Sequence, residues 1–311
     1  MNTYSRLKIL PAILLTIFLT ACFTGVEYTP RVSERDVRRE NIITTPEDTF
    51  LANVSDEGLA EWRPGKRFRV TDDKIRLIFG ATASPYDSLA GKTLVFTEAK
   101  EAPSIVGTSV TDISFRTEPD NGRVFVYRIN RPIAKVMQQP SLSIPFTIQE
   151  SLVDGARELM DGQRYYIITR TWRDDTDNSV NGRQFVPVTV DSVTPGNDIY
   201  PIKVSFTDEK GTSARVFLHP GPRGYTPRSF PAIFSFTNPR LKYPSITDNM
   251  WEKIVNGKVA LEMTREECRL ALGVPREVDR GADNAFIREV WMYENGIYLV
   301  FEDGILKMYR H

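Results

Sequence analysis

Cysteine and histidine are scarce in this 311-residue chain, with two of each. So few ligands leave no room for a zinc finger, an iron–sulfur cluster or a disulfide scaffold. No metal site and no cofactor is implied. Neither sign of charge is in surplus: 40 Lys and Arg face 40 Asp and Glu, which argues against the basic stripe of a nucleic-acid binder. Long apolar runs are absent apart from one at the N-terminus, and a mean hydropathy of −0.30 excludes a multi-span membrane protein. A phosphate-cradling Gly-rich loop and a Gly-x-Ser-x-Gly elbow are both missing, so neither nucleotide binding nor a serine hydrolase is implied. Proline (20) slightly outnumbers glycine (19) and aromatics make up 11%, a balance that suits short strands and turns better than a helical bundle.

What is present begins with an address. Arg6 and Lys8 precede an almost wholly apolar run, Ile9 to Phe18, followed by Leu19-Thr20-Ala21-Cys22. The run is shorter than the roughly 20 residues that cross a bilayer and has the form of a secretory h-region. Small residues directly before a cysteine form a lipobox, so residues 1–21 are expected to be a lipoprotein signal peptide and Cys22 the lipidated N-terminus. Cleavage leaves 290 residues with 38 basic against 40 acidic side chains, since Arg6 and Lys8 depart. Two or more acyl chains hold such a protein stably at a membrane, at roughly 0.8 kcal/mol per buried CH₂. Phe23-Thr24-Gly25-Val26 lacks the acidic cluster that sends some lipoproteins to the cell surface, which favours a periplasm-facing body. Cys268 is then the lone thiol.

Composition divides the mature chain. Residues 22–61 interleave Arg31, Arg35, Arg38 and Arg39 with Glu34, Asp36 and Glu40 and read as a solvated tether with one short helix. Residues 62–146 alternate in short runs (Gly65 to Val70, Ile75 to Phe79, Thr93 to Phe96, Ile113 to Phe115, Val124 to Tyr127) between turn signals such as Asp120-Asn121-Gly122, which predicts a small barrel or roll. A weak repeat follows over 147–218: Gly65-Lys66-Arg67-Phe68 returns as Gly162-Gln163-Arg164-Tyr165, and Ile113-Ser114-Phe115 as Val204-Ser205-Phe206, which suggests a second, related module. Thr147-x-x-Glu150 is read as a capping box opening a helix that buries Leu152, Ala156, Leu159 and Met160. Residues 219–234, rich in proline and glycine, are read as a linker.

Residues 235–311 predict α-α-β-β-β. Asp248 is expected to cap a helix carrying Met250, Trp251 and Ile254 and ended by Gly257. Thr264 and Glu267 form a capping box with Met263 and Cys268 as hydrophobic staple, and Gly273 and Pro275 stop that helix. Asn295-Gly296 and Asp303-Gly304 join strands at Ile287 to Tyr293, Ile297 to Phe301 and Ile305 to Tyr309. The fold class expected is α+β, mostly β: two tandem small β-barrel or roll modules followed by an α+β module with a three-stranded antiparallel meander.

Met263-Thr264-Arg265-Glu266-Glu267-Cys268 through Leu272-Gly273-Val274-Pro275, with Trp291-Met292-Tyr293 and Tyr298 to Gly304, resembles the signature of the SmpA/OmlA (BamE-like) outer-membrane lipoproteins over about 60 of the 311 residues. The family's usual Gly before Met-Thr is Glu262 here, and a side chain disfavours positive φ, so that loop is expected to differ. The resemblance implies a non-catalytic scaffold of the β-barrel assembly machinery and a protein-binding role. The strand number and size of the two modules in front resemble bacterial SH3-like domains.

Catalytic residues are not expected. His219 lies in the turn-rich stretch and reads as a surface-loop histidine; His311 is terminal. Cys268, in a first helical turn near Arg265 and Arg269, reads as a core residue with Ala271 and Leu272. Asp175, Asp177, Ser179 and Asn181 alternate like calcium ligands, but Val180 and Val186 stand where an EF-hand needs Gly and Glu, so 174–182 reads as an acidic hairpin loop. Ile297 to Phe301 is apolar on both faces, and Tyr298, Val300, Trp291 and Tyr293 are the candidate partner surface. Other envelope proteins are the expected partners. Peptidoglycan is the alternative, with Tyr165, Tyr166, Trp172 and Phe185 as candidate groove aromatics.

Overall fold

Two glycines in the left-handed region, Gly65 (φ 97°) and Gly162 (φ 70°), turn the chain into the first strands of two separate sheets. The computed structural model describes residues 44–103, 109–120, 122–221, 227–283, 286–294 and 296–310. The signal segment, Cys22, most of the expected tether, residues 222–224, Asn121, Asn295 and His311 lie outside the described residues. Strands take 36% of the chain and helices 22%, in curled antiparallel sheets that include a half-barrel, so the mostly β class holds.

After a one-turn helix α1 (Pro46–Thr49), the first sheet comprises β1 (Arg67–Val70), β2 (Thr93–Pro103), β3 (Ser109–Glu118), β4 (Phe125–Ile129) and β5 (Thr147–Gln149). Helix α2 (Ile75–Phe79) follows β1, and α3 (Ile133–Val136) precedes β5. The strand order is β4-β3-β2-β1-β5. Phe68, Phe115 and Phe125 are fully buried in its core with Trp62.

Helix α4 (Glu150–Met160) leads into the second sheet: β6 (Arg164–Ile167), β7 (Thr171–Arg173), β8 (Ser179–Asn181), β9 (Val186–Pro195), β10 (Ile202–Asp208), β11 (Ser213–Leu218) and, after α5 (Phe230–Ile233), β12 (Phe234–Ser235). The order is β12-β6-β9-β10-β11-β7-β8. The paths β5-β1-β2-β3-β4 and β12-β6-β9-β10-β11 coincide, each with a one-turn helix directly before its last strand. β1 and β6 share one alternation of burial, and a bulge interrupts β2 against β3 as it does β9 against β10. The β7–β8 hairpin is the second sheet's addition.

The third layer comprises α6 (Asp248–Val255), α7 (Arg265–Leu272), β13 (Glu277–Asp283), β14 (Phe286–Met292), β15 (Tyr298–Glu302) and β16 (Ile305–Arg310). Thr264 Oγ1 accepts from the Glu267 amide at 3.2 Å and the Glu267 carboxylate accepts from the Thr264 amide at 2.7 Å. The capping box and its Met263–Cys268 staple are therefore in place, with both staple residues fully buried.

Several expectations are corrected. Ile75–Phe79 is helical, because Ile75 and Phe79 are buried at i, i+4 spacing while Leu77 between them is 79% exposed. Thr147 lies in β5, opposite Val70, and α4 opens at Glu150 with Gln149 as N-cap. On α4, Leu152, Val153, Ala156 and Met160 are buried, whereas Leu159 is exposed. Thr247, not Asp248, caps α6. The expected tether has already joined the core by Leu51 and Val54, and Phe50 packs on Phe230 at 4.5 Å. Residues 230–234 of the expected linker carry Phe230, Ile233 and Phe234 into the second core. The meander has four strands, because β13 pairs with β14 from Glu277↔Met292 onward. Glu262 adopts φ 70° in spite of its side chain, with its carboxylate 2.9 Å from Lys307 Nζ.

Candidate functional site

Register decides which side chains of the last sheet are free to meet a partner. Trp291 lies opposite Leu299, and Val290 opposite Val300. Successive side chains alternate across a sheet, so Trp291, Leu299, Phe301 and Leu306 form the helix-facing side and all four are fully buried against Ile254, Met263, Cys268 and Ala271. The opposite side carries Val290, Met292, Tyr298, Val300 and Met308.

The four predicted surface residues therefore separate. Tyr298 and Val300 lie on the outer side. Val300 is 3% exposed, flanked in the ladder by Val290 and by Met308, which is 50% exposed. Trp291 is a core residue and not a surface one: its ring lies tilted against Phe301 at 4.6 Å, Arg269 lies over it at 4.9 Å, and its indole N–H donates to Glu289 at 3.2 Å. Tyr293 also belongs to the inner side. Its hydroxyl donates to the Gly273 carbonyl at 3.3 Å, and burial pushes the phenol well above its usual range.

The outer side is flanked by Arg288, Glu302, Arg310 and Asp279. The helices that cover the inner side meet the second sheet through Phe185, which stacks on Trp251 at 5.5 Å, and through Gln184, whose side-chain amide donates to the carbonyls of Ile254, Leu270 and Ala271. The second sheet thus contacts the helices; on the outer face of β14, β15 and β16, Met308 is exposed and Val300 is buried. Sequence periodicity alone placed apolar residues on both faces of β15; the Met292↔Tyr298 register set by the short turn is the signal that would have sorted Trp291 and Tyr293 from Tyr298 and Val300.

A second site is a cleft of about 770 Å³ between the first and second sheets. Val54, Ser55 and Asp56 from the segment after α1, Ser143 to Ile148 before and within β5, and His219 to Gly221 after β11 line it. Asp56 accepts a hydrogen bond from the Ser143 hydroxyl and makes no ion pair with a described residue. Burial holds its carboxyl above the usual range, with Ser143 and Lys66 opposing. His219 follows β11 as expected, but its half-buried ring forms part of the cleft wall. Its Nδ1 accepts from the Gly221 amide at 2.9 Å, which leaves Nε2 as the protonated nitrogen. Among the described lining residues are Asp48, Asp56 and Asp198 and no lysine or arginine.

The remaining candidates resolve individually. Cys268 is buried and its thiol is pushed up to about 12, mainly by burial and further by Glu267, so it holds no thiolate near neutral pH. In 174–182, Asp174 Oδ1 accepts from the amides of Thr176 and Asn178 and from the Thr176 hydroxyl, and Asp177 faces Lys203 and Arg215. These carboxylates are engaged within the protein, and no group of three or more His, Cys, Asp or Glu residues is placed to hold a metal ion among the described residues. Tyr165 and Trp172 are core side chains, whereas the half-buried Tyr166 and Phe185 line a recess of about 440 Å³ beside α6 with Trp251. No helix among the described residues is long and apolar enough to cross a membrane. No protein-family model matches the chain, and no curated protein matches it.

Proposed function

We propose that this protein is a lipid-anchored, non-enzymatic lipoprotein of the bacterial envelope, held by Cys22 at the outer membrane, that docks another envelope protein through the outer face of its C-terminal sheet. The observation carrying this reading is the outer-face row Val290, Val300 and Met308, in which Met308 is 50% exposed while Val300 is buried, with Met292 and Tyr298 beside it and charges of both signs at its rim. An apolar centre with a polar rim suits a protein partner. The two matching strand paths, each with a helical turn before the last strand, support tandem SH3-like modules in front of a SmpA/OmlA-like module.

The test places a photocrosslinking residue at Met308 in the anchored protein and in a Cys22→Ser version, in native membranes. Capture of outer-membrane assembly components by the anchored form alone supports docking. A second reading, a ligand-binding lipoprotein, is favoured by the half-buried Asp56, which lines the cleft and makes no ion pair with a described residue. Peptidoglycan recovered by a crosslinker at Ser55, with no protein recovered at Met308, overturns docking in favour of that reading.

A further inference from the structure

The cleft between the first two sheets encloses about 770 Å³, within the roughly 300–1,000 Å³ that small-molecule sites occupy. Val54, Ile144, Ile148 and Leu152, all buried, give it apolar walls. Its two sides are tied together. The Asp198 carboxylate, in the turn between β9 and β10, accepts from the hydroxyl of Thr71, just after β1. The Thr71 amide donates in turn to the Phe146 carbonyl at 3.0 Å. Phe146 itself lines the cleft at φ 63°, where a bulky side chain is strained. Such strain persists where the surroundings over-determine it, and ligand clamps are among those places.

One charged group of this apolar space lacks a counter-ion among the described residues. Asp56 Oδ2 takes the Ser143 hydroxyl, and no described residue donates to Oδ1. Lys66, the cation whose field reaches Asp56, is held by the Glu57 carboxylate at 2.9 Å and the Ser151 hydroxyl at 2.8 Å. Burial holds the Asp56 carboxyl above its usual range, with Ser143, Lys66 and His219 opposing. Asp198 stands exposed among the lining residues and makes no ion pair with a described residue either. Asp48, the third acid, is engaged by the Thr45 amide and hydroxyl, each at 2.9 Å. A carboxylate partly removed from water is unfavourable until it is paired.

We propose that the cleft binds a small soluble ligand whose primary ammonium pairs with Asp56 and whose apolar body lies against Val54, Ile144, Ile148 and Leu152. The inference rests on the ligand-binding reading of the cleft and not on the docking face. An ammonium has three donors and no acceptor, which suits Asp56 Oδ1 with the Ser143 hydroxyl oxygen beside it. An anionic ligand would meet only like charge on the described lining, and a neutral one would leave Asp56 unpaired. Selectivity for a cation therefore comes from what the cleft disfavours as well as from the pair it forms.

The experiment uses the mature chain with Cys22→Ser and a probe series that keeps the apolar body fixed: hexylammonium, hexanol and hexanoate, at constant ionic strength. Ligand-observed NMR and the unfolding midpoint follow binding, since a ligand of the folded state raises the midpoint. Expected is saturable binding of hexylammonium, about tenfold or more tighter than hexanol, and no binding of hexanoate. In Asp56→Asn the ammonium is expected to fall by about tenfold, to the affinity of hexanol, while hexanol itself is unchanged. The control Asp191→Asn, at an exposed carboxylate on β9, binds all three as the parent does. If Asp56→Asn is unfolded by circular dichroism, Ser55→Lys replaces it, at an exposed lining position where the added ammonium competes for Asp56. Hexanol or hexanoate binding as tightly as hexylammonium overturns the ammonium inference and leaves the cleft a ligand site. Absence of saturable binding by all three overturns both. Folded Asp56→Asn or Ser55→Lys chains that bind hexylammonium as tightly as the parent overturn the pairing with Asp56.

Discussion

Glu289, on the helix-facing side of the last sheet, is an almost fully buried carboxylate, at 3% exposed. Burial works to raise its pKa, but the Trp291 indole N–H and the Arg265 and Arg280 guanidiniums outweigh it and hold the carboxyl below its usual range. A depressed folded pKa contributes stability above the unfolded value of about 4.3, and this is lost as pH falls through the folded pKa. Glu289→Gln is therefore expected to remove part of the acid sensitivity: the difference in urea midpoint between parent and variant at pH 7 shrinks below about pH 4. Glu289→Ala leaves the buried Trp291 indole N–H without its acceptor and two partly exposed guanidiniums without their carboxylate, and is expected to cost about 1–3 kcal/mol. Equal midpoints for Glu289→Ala and the parent at pH 7 would show that the cluster is solvated instead. Cys268, with its thiol raised to about 12, is expected to react with a thiol reagent at pH 8 only after denaturant is added. Rapid labelling of the native chain would contradict its placement in the core.

At the scale of elements, local signals carried furthest where they are strong and short in range. Thr264 and Glu267 are legible as a cap because both halves of the box lie within one turn, and Thr264→Ala is expected to cost about 1 kcal/mol, with Thr264→Ser close to neutral, in thermal unfolding. The Asp303-Gly304 turn is legible for the same reason. What stayed hidden depends on partners far along the chain. Ile75–Phe79 alternates on paper like a strand, and only the burial of Ile75 and Phe79 on one side of a turn reveals the helix. β13 was missed because Glu277 to Asp283 is mostly polar, and its pairing with β14 supplies what its own composition does not. β5 and β12 are three and two residues long, too short for periodicity, although each completes a sheet. The candidate sites were less legible still: the cleft gathers Asp56, Ser143 and His219 from three distant stretches, and no spacing rule connects them. Trp172 shows how a single contact fixes such an element. A Cβ on Gly182 would stand 1.9 Å from its ring, so Gly182→Ala is expected to unseat the β7–β8 hairpin and cost about 1–3 kcal/mol by overpacking. An unchanged unfolding midpoint would mean that the hairpin has room to shift.

Across the whole molecule, residues 45–311 form one compact unit although they contain three sheets with separate cores, and Gln184 explains part of that coupling. The last carbonyls of a helix have no partner within it. Those of Ile254 on α6 and of Leu270 and Ala271 on α7 accept from the one Gln184 amide, at 3.0, 2.6 and 3.2 Å, while the Gln184 backbone N–H donates to Val255 at 3.0 Å. A residue just before β9 thus closes both helix ends of the C-terminal layer. Gln184→Leu keeps the volume and removes the donors; Ile254 keeps the Gly257 amide, while the Leu270 and Ala271 carbonyls lose their donor at about 1–3 kcal/mol each. Gln184→Glu adds a carboxylate at the negative ends of two helices, which is worse above its pKa and improves as it is protonated. The expected outcome in calorimetry is one transition for the parent and, for either variant, a C-terminal transition that separates and moves to lower temperature. In Gln184→Glu alone, that early transition climbs back as pH is lowered towards 5. A single unshifted transition in both variants would place the coupling in the Phe185–Trp251 stack, which Trp251→Ala would then break where the Gln184 variants had not.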